Sequence, residues 1–388
     1  MFGCGLLAVL GTVLISSRCA LALTFCVAST AFAQQQTASP QTQSHPELSH
    51  RPAPNSEGKM KIDVVVTEGA GQPVAGLTQQ DFTVLDNKKP QSILSFRAMD
   101  GTAGAGIADP PVEVILVLDV TNTLPEIVGW ERGQIEEFLR RNGGRLMQPT
   151  LLMIFDNLGV EGSPQPTRDG NQLADVLDKA EATTHLVPPT TQTEADRMTM
   201  SLNALGRIMT AANTEAGRKM LIWIGTGWPM LEDPIYQFST QDYAVLFNRV
   251  VTISGLMRQA RVTMYSIFPA DPGMSGRTSV ANYRSFLKAA PSVRQVRPGN
   301  LALPVLAVHS GGRALDAPGD LGEEIAGCIA ETKFYYTLGF DPVNAKHVDE
   351  YHELVVRVDR PDVKVRTSAG YYGEPAFQFS PPASNGSH

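Results

Sequence analysis

Apolar positions are the first signal along this chain, and their spacing changes character three times. From Val112 the residues Val-Glu-Val-Ile-Leu-Val-Leu run apolar, broken only by Glu113, up to the acidic Asp119. A run without period-two alternation is the mark of a strand buried on both faces, as in a parallel sheet. It predicts a central strand that delivers Asp119-Val120-Thr121-Asn122-Thr123 to its carboxyl end, with Pro125 opening a helix. Further apolar runs at Leu151 to Phe155, Met220 to Ile224 and Val262 to Phe268 predict three more buried strands, with a weak edge strand near Leu158 to Val160.

Between these runs the apolar residues recur at three and four. Ile127, Trp130, Ile135, Phe138 and Leu139 predict one amphipathic helix, and Asn171 to Ala182 a short second one. Met198, Leu202, Leu205, Met209 and Ala212 mark a third, and Tyr243, Leu246, Phe247, Val250, Ser254 and Met257 a fourth. Residues 279 to 289, Leu303 to Val308 and Leu321 to Ile329 complete the series. Trp130 and Trp223 are assigned to the core. Alternating strands and helices predict an α/β fold with a doubly wound, mostly parallel sheet.

Both flanks read differently. Lys61 to Val66, Gly76 to Leu85 and Ile93 to Phe96 on one side are short strands bounded by turn residues, with Thr78 and Asp81 capping a brief helical turn. Phe334 to Phe340, His352 to Val358 and Val363 to Thr367 lie on the other side. Arg360-Pro361-Asp362 predicts a hairpin turn between the last two. Separate small sheets would leave exposed edges, so the two ends are expected to combine into one β-sandwich beside the α/β domain.

The resulting boundaries are 1–33, 34–58, 59–100, 110–330, 331–374 and 375–388. Residues 1–33 are apolar and end in Ala31-Phe32-Ala33, the small-x-small pattern of a cleaved secretory signal, which predicts an exported protein, periplasmic or extracellular. Gln, Ser, Thr, Pro and His dominate 34–58, a disordered tether. Glycine, alanine and proline make 101–111 a linker; its glycines precede a strand instead of following one, which excludes a phosphate-binding loop. Residues 375–388 are tail.

With 388 residues and a formal charge of −7, the chain has material for two or three domains and lacks the basic footprint of a nucleic-acid binder. Cys4, Cys19 and Cys26 fall in the signal segment, leaving Cys328, on a helical apolar stripe, as a buried inert thiol. No catalytic set emerges. Gly273-Met274-Ser275-Gly276 misses the spacing of a nucleophile elbow, and His352-Glu353 lacks a second histidine one helical turn on. The expectation is a non-enzymatic protein.

The ordered set Leu118-Asp119-Val120-Thr121-Asn122-Thr123, Thr167-Arg168-Asp169, Ser310-Gly311-Gly312-Arg313-Ala314 and Phe334 to Phe340, with Gly76-Leu77-Thr78, Asp81-Phe82 and Arg366 to Tyr372, resembles a von Willebrand factor A domain. More narrowly, it resembles the VWFA-related family of acidobacterial exported proteins. The resemblance spans residues 60 to 373. It implies an adhesion-type module with a metal ion above the sheet, Mg²⁺ or Mn²⁺, held by an Asp-x-Ser-x-Ser loop, a Thr and an Asp, and open to a carboxylate from a partner. Asp119, Thr121 and Thr123 match the first loop with Thr in place of Ser, and Thr167 matches the second. Asp156 and Asp169 are spare carboxylates. Gly225-Thr226-Gly227 occupies the third loop, where the pattern calls for Asp, so the site is degenerate. The same first-loop residues also serve as helix caps with no ion. Asn122 and Trp228 are the expected contacts to an unidentified protein or cell-surface partner. The alternative is an envelope scaffold that binds no metal.

Overall fold

In a computed structural model, residues 60–69, 71–100, 111–181, 193–229, 238–269, 283–317 and 319–375 are described. The signal segment, the tether, residues 101–110 of the linker, part of the 279–289 segment and residues 376–388 of the tail lie outside them. In chain order the strands are β1 (Met60–Glu68), β2 (Phe82–Asp86), β3 (Lys89–Gln91), β4 (Ser95–Asp100), β5 (Glu113–Asp119), β6 (Arg145–Asp156), β7 (Gly159–Gly162), β8 (Thr167–Asp169), β9 (Lys219–Ile224), β10 (Val262–Phe268), β11 (Ala314–Asp316), β12 (Phe334–Phe340), β13 (Glu350–Val358), β14 (Val363–Arg366) and β15 (Gly370–Gly373). The helices are α1 (Pro125–Arg140), α2 (Gly170–Glu181), α3 (Glu194–Ala212), α4 (Thr240–Gln259), α5 (Leu303–His309) and α6 (Leu321–Ala330).

The central sheet has the order β11-β10-β9-β5-β6-β7, parallel except for its last pair, with β8 also antiparallel to β6. β5 lies between β9 and β6, inside the sheet as its continuous apolar run requires. Its side chains alternate between two cores. Val114, Leu116 and Leu118 join Ile135, Leu173 and Ile325 on the α1, α2 and α6 face. Ile115 and Val117 join Leu205, Phe247 and Leu306 on the α3, α4 and α5 face. Helices therefore cover both faces, and the sheet is doubly wound.

Outside this sheet lie two four-stranded antiparallel sheets, β14-β1-β12-β4 and β15-β13-β2-β3. Ile62, Val64, Phe82, Val84, Leu338 and Val356 are drawn from both and form one apolar cluster. Met60 pairs with Phe340 and Val65 with Arg366, so the two ends of the described chain share a sheet. The expected hairpin after Val358 is corrected here. β14 pairs with β1, whereas β13 pairs with β2 and β15, so the turn at Arg360 to Asp362 carries the chain from one sheet to the other.

Helix α1 corrects a second expectation. Its buried residues are Val128, Glu131, Ile135 and Leu139, a stripe rotated from the one the apolar residues mark, because a glutamate occupies one of its positions. Trp130 is consequently displaced to the surface, 39% exposed. Residues 283–286, inside the expected 279–289 helix, form a single 3₁₀ turn. Among the described residues, no helix is long and apolar enough to cross a membrane.

Candidate functional site

The carboxyl edge of the parallel sheet is where open α/β sheets bind ligands, and β5 carries Asp119 there. Because Asp119 follows Ile115 and Val117 in alternation, its side chain falls on the α3 face, beside Trp223 of β9. No part of it reaches solvent. Asn122 donates to Asp119 Oδ1 from its backbone N (3.0 Å) and to Oδ1 and Oδ2 from Nδ2 (3.1 and 2.8 Å). Trp223 Nε1 donates to Oδ2 at 3.0 Å. The same Asn122 amide reaches Ser201 Oγ at 2.9 Å, tying the loop to α3. Burial pushes the Asp119 carboxyl up to about 6, against the pull of the Asn122 and Trp223 hydrogen bonds and the Arg197 charge.

The third loop closes over this network. Gly225 comes so near that an added Cβ would stand 2.8 Å from Asp119 Cβ and 2.9 Å from Thr123 Oγ1, and its φ of +139° suits glycine. Thr226 N donates to Thr123 Oγ1 at 3.2 Å, and Thr226 Oγ1 donates to the Asn122 carbonyl at 2.7 Å. Thr121 Oγ1 points to the Phe155 carbonyl at 3.5 Å. Thr121, Asn122 and Thr123 are all buried.

These residues do not fit a hard divalent cation. Such an ion needs carboxylate and hydroxyl oxygens turned toward it, yet both Asp119 oxygens face N–H donors and Thr123 Oγ1 accepts from a third-loop amide. Asn122 Oδ1 is an acceptor without a donor, but one neutral oxygen falls far short. Among the described residues, no cluster of three or more His, Cys, Asp or Glu is disposed to hold a metal.

The expected second-loop residue lies elsewhere. Thr167 pairs with Thr150, which is level with Val114, five residues before Asp119 on β5. At roughly 3.3 Å per residue that is about 16 Å away, toward the amino edge. The cause is the reversal of the chain after β6: β7 and β8 run back down the sheet before α2 starts. Asp169 is used there as a cap, its Oδ1 accepting from Asn171 N and Gln172 N at 3.0 and 3.2 Å. Asp156 stays at the carboxyl edge but binds the amides of Leu158 and Gly159 at 2.8 and 3.1 Å.

Trp228 also departs from expectation as a partner contact. It is buried, its Nε1 donating to the Leu301 carbonyl at 2.9 Å and its ring meeting Trp223 edge-on with centroids 5.6 Å apart. Among the described residues, the exposed apolar side chains in the loops after β5 and β6 are Leu124, just after Thr123, and Leu158, in the turn after β6, at 39% and 72% exposure. Sequence reading passed over both, since a leucine beside a strand end carries no signal of its own.

Sequence reading also missed a buried carboxyl on the opposite face. Glu131 is fully enclosed, neither of its oxygens has a partner, and burial, reinforced by the nearby Asp119 charge, drives its pKa well above the ordinary carboxyl range. Cys328 is likewise enclosed, its thiol pushed up to about 12 by burial, which makes it inert.

No family model matches the chain, and no curated relative matches it. Among solved structures, the chain is similar to the human COPII-coat protein Sec24c at 8% identity and a TM-score of 0.35, over 70% of this chain and 45% of that one. It therefore spans under half the length of that protein. It is also similar to a manganese-loaded Plasmodium vivax TRAP protein at 12% identity and a TM-score of 0.33, over 73% of this chain and 98% of the other.

Proposed function

We propose that this protein is an exported, non-enzymatic binding module. A von Willebrand A-like α/β domain, flanked by a β-sandwich, recognises a protein or cell-surface partner at the carboxyl edge of its parallel sheet, and does so without a metal ion. One observation carries the reading: Leu158 and Leu124 stand exposed on the carboxyl ends of adjacent strands, around loops whose polar groups are bound to one another. Single exposed leucines are ordinary. Two at the edge where open α/β sheets recognise ligands supply the apolar centre that a protein interface needs. Export rests on the apolar segment at 1–33.

A photo-crosslinking residue at Leu158, compared with one at Met147 near the start of the same strand and 45% exposed, tests the assignment in the native envelope. The expected result is one discrete adduct from position 158, unchanged by chelator, and none from 147. Equal labelling from both positions, or an adduct abolished by chelator, would overturn it. The internal saturation of Asp119 and Thr123 also favours a second reading, an envelope scaffold without a recognition edge; silence at position 158 would support that one.

A further inference from the structure

Where the two antiparallel sheets meet the α/β half, a cavity of about 70 Å³ lies between β1, α4, the start of β10, α5, β13 and β15. Its walls include the apolar side chains of Met60, Ile62, Met257 and Leu306. The charged groups facing it are Lys61, Asp63, Arg258 and Arg261, with the imidazole of His309. Asp63 is already engaged, accepting from Arg261 Nη2 at 2.8 Å and from Thr337 Oγ1 at 2.7 Å. Positive charge is therefore left over.

Arg258 holds that surplus. Its guanidinium makes no hydrogen bond or ion pair among the described residues, although burial is strong enough to lower its pKa. A guanidinium stays charged regardless, and this one, half-buried beside the Tyr371 phenol, keeps its fork free to take an anion's oxygens. Ser254, one helical turn earlier on α4, faces the same way and its hydroxyl is also unengaged.

The other polar groups of the wall are engaged: Ser368 Oγ donates to the Gly370 carbonyl at 3.1 Å, and Thr263 Oγ1 accepts from Arg218 Nη2 at 3.4 Å. Ser310 Oγ donates to the Ala307 carbonyl at 2.8 Å and accepts from Met264 N at 2.8 Å. Tyr351 and Tyr372 donate to the carbonyls of Ala369 and Ala290 at 3.0 and 2.9 Å. His309 Nε2 is bound to the Leu287 carbonyl at 2.8 Å. The free donors thus amount to one planar fork, one hydroxyl and the exposed Lys61. The fork matches the two coplanar oxygens of a carboxylate, and the apolar walls would desolvate the second negative charge of a phosphate with no second free buried cation among the described residues to meet it. At about 10–15 Å³ per water-sized group, the cavity takes roughly half a dozen non-hydrogen atoms.

We propose that this cavity is a binding site for a short-chain monocarboxylate, with its carboxylate on Arg258 and Ser254 and its stem against the apolar wall. This is independent of the recognition edge argued above. The test uses the full chain and sodium butyrate, following thermal unfolding against sodium chloride and sodium phosphate at matched ionic strength. Binding to the native state raises the melting temperature as butyrate rises. The expected result is a shift with butyrate alone, lost in R258M and reduced in S254A, while R258M without butyrate melts no lower than wild type. R258K keeps the charge without the fork, and should bind about tenfold more weakly, which serves if R258M does not fold. No butyrate shift in wild type, an equal shift with phosphate, or an undiminished shift in R258M or R258K would overturn the proposal.

Discussion

Trp223 Nε1 and Asp119 Oδ2 are joined by a 3.0 Å hydrogen bond between neighbouring strands of the parallel sheet. A buried carboxylate needs donors, and this one receives them from an indole and an asparagine. Replacing Trp223 by Phe keeps most of the packing against Phe155 and Trp228 and removes one donor. The expected loss is about 1–3 kcal/mol, read by urea unfolding at neutral pH. An unchanged midpoint would mean the bond does not hold Asp119.

Asp119 also sets a pH dependence. Its folded pKa of about 6 lies above the ordinary value of 3.8, so between those limits the native state holds a proton that the unfolded chain has lost. Stability from this group is full below about pH 4, falls as pH rises, and is gone above about 6; the change is about 3 kcal/mol at roughly 1.4 kcal/mol per pH unit. D119N cannot titrate. Unfolding free energies measured from pH 4 to 7 should therefore move in favour of D119N relative to wild type as pH rises, and a constant difference would contradict the shift.

Glu131 makes the opposite kind of mutant. Enclosed and without a hydrogen-bond partner, it destabilises the helix stripe it occupies. E131M fills a similar volume without the polar head and is expected to raise stability by about 1–3 kcal/mol at pH 7. A lower melting temperature would show that the carboxyl has a partner after all.

Closing of the third loop predicts two further results. G225A, whose new Cβ meets Asp119 and Thr123 inside 3 Å, should lose about 1–3 kcal/mol. Millimolar Mg²⁺ or Mn²⁺ should leave the melting temperature of wild type where chelator leaves it, since no open oxygen set awaits a cation. A metal-dependent rise that D119A abolishes would restore the adhesion-site reading.

In the paired antiparallel sheets, Asp86 is fully buried and binds His352 Nδ1 at 2.9 Å and Tyr371 Oη at 2.7 Å, with the His352 and Tyr371 rings stacked 4.7 Å apart. D86A strands three polar groups, His352, Tyr371 and Val343 N, and should cost about 3 kcal/mol, whereas Y371F leaves Asp86 its other two donors and should cost about 1. Chemical denaturation separates the two, and equal losses would argue against Asp86 as the shared partner.

Much of this architecture was legible in the chain. The apolar run of β5 has one comfortable environment, between parallel neighbours, and the limits of β10 and β12 coincide with apolar runs read directly. Short polar strands defeat such reading. Thr167-Arg168-Asp169 has no period, and only its pairing with β6 reveals that Thr167 sits at the wrong edge. Glu131 misled the reading of α1 because a charged residue is assigned to solvent unless something external says otherwise. Trp228 looked exposed because the Leu301 carbonyl that receives its N–H is distant in sequence. In the first loop the residue types were read correctly, but whether Asp119 faces a cation or an indole depends on which strand lies alongside.

Strand β1 lies between β12 and β14, so its ladders are completed by residues almost three hundred positions downstream. During synthesis β1 therefore waits as an open-edged, oily ribbon until β12 and β14 have emerged. Pairing over so long a span is slow, so β1 spends that interval as an unpaired edge open to association with other chains.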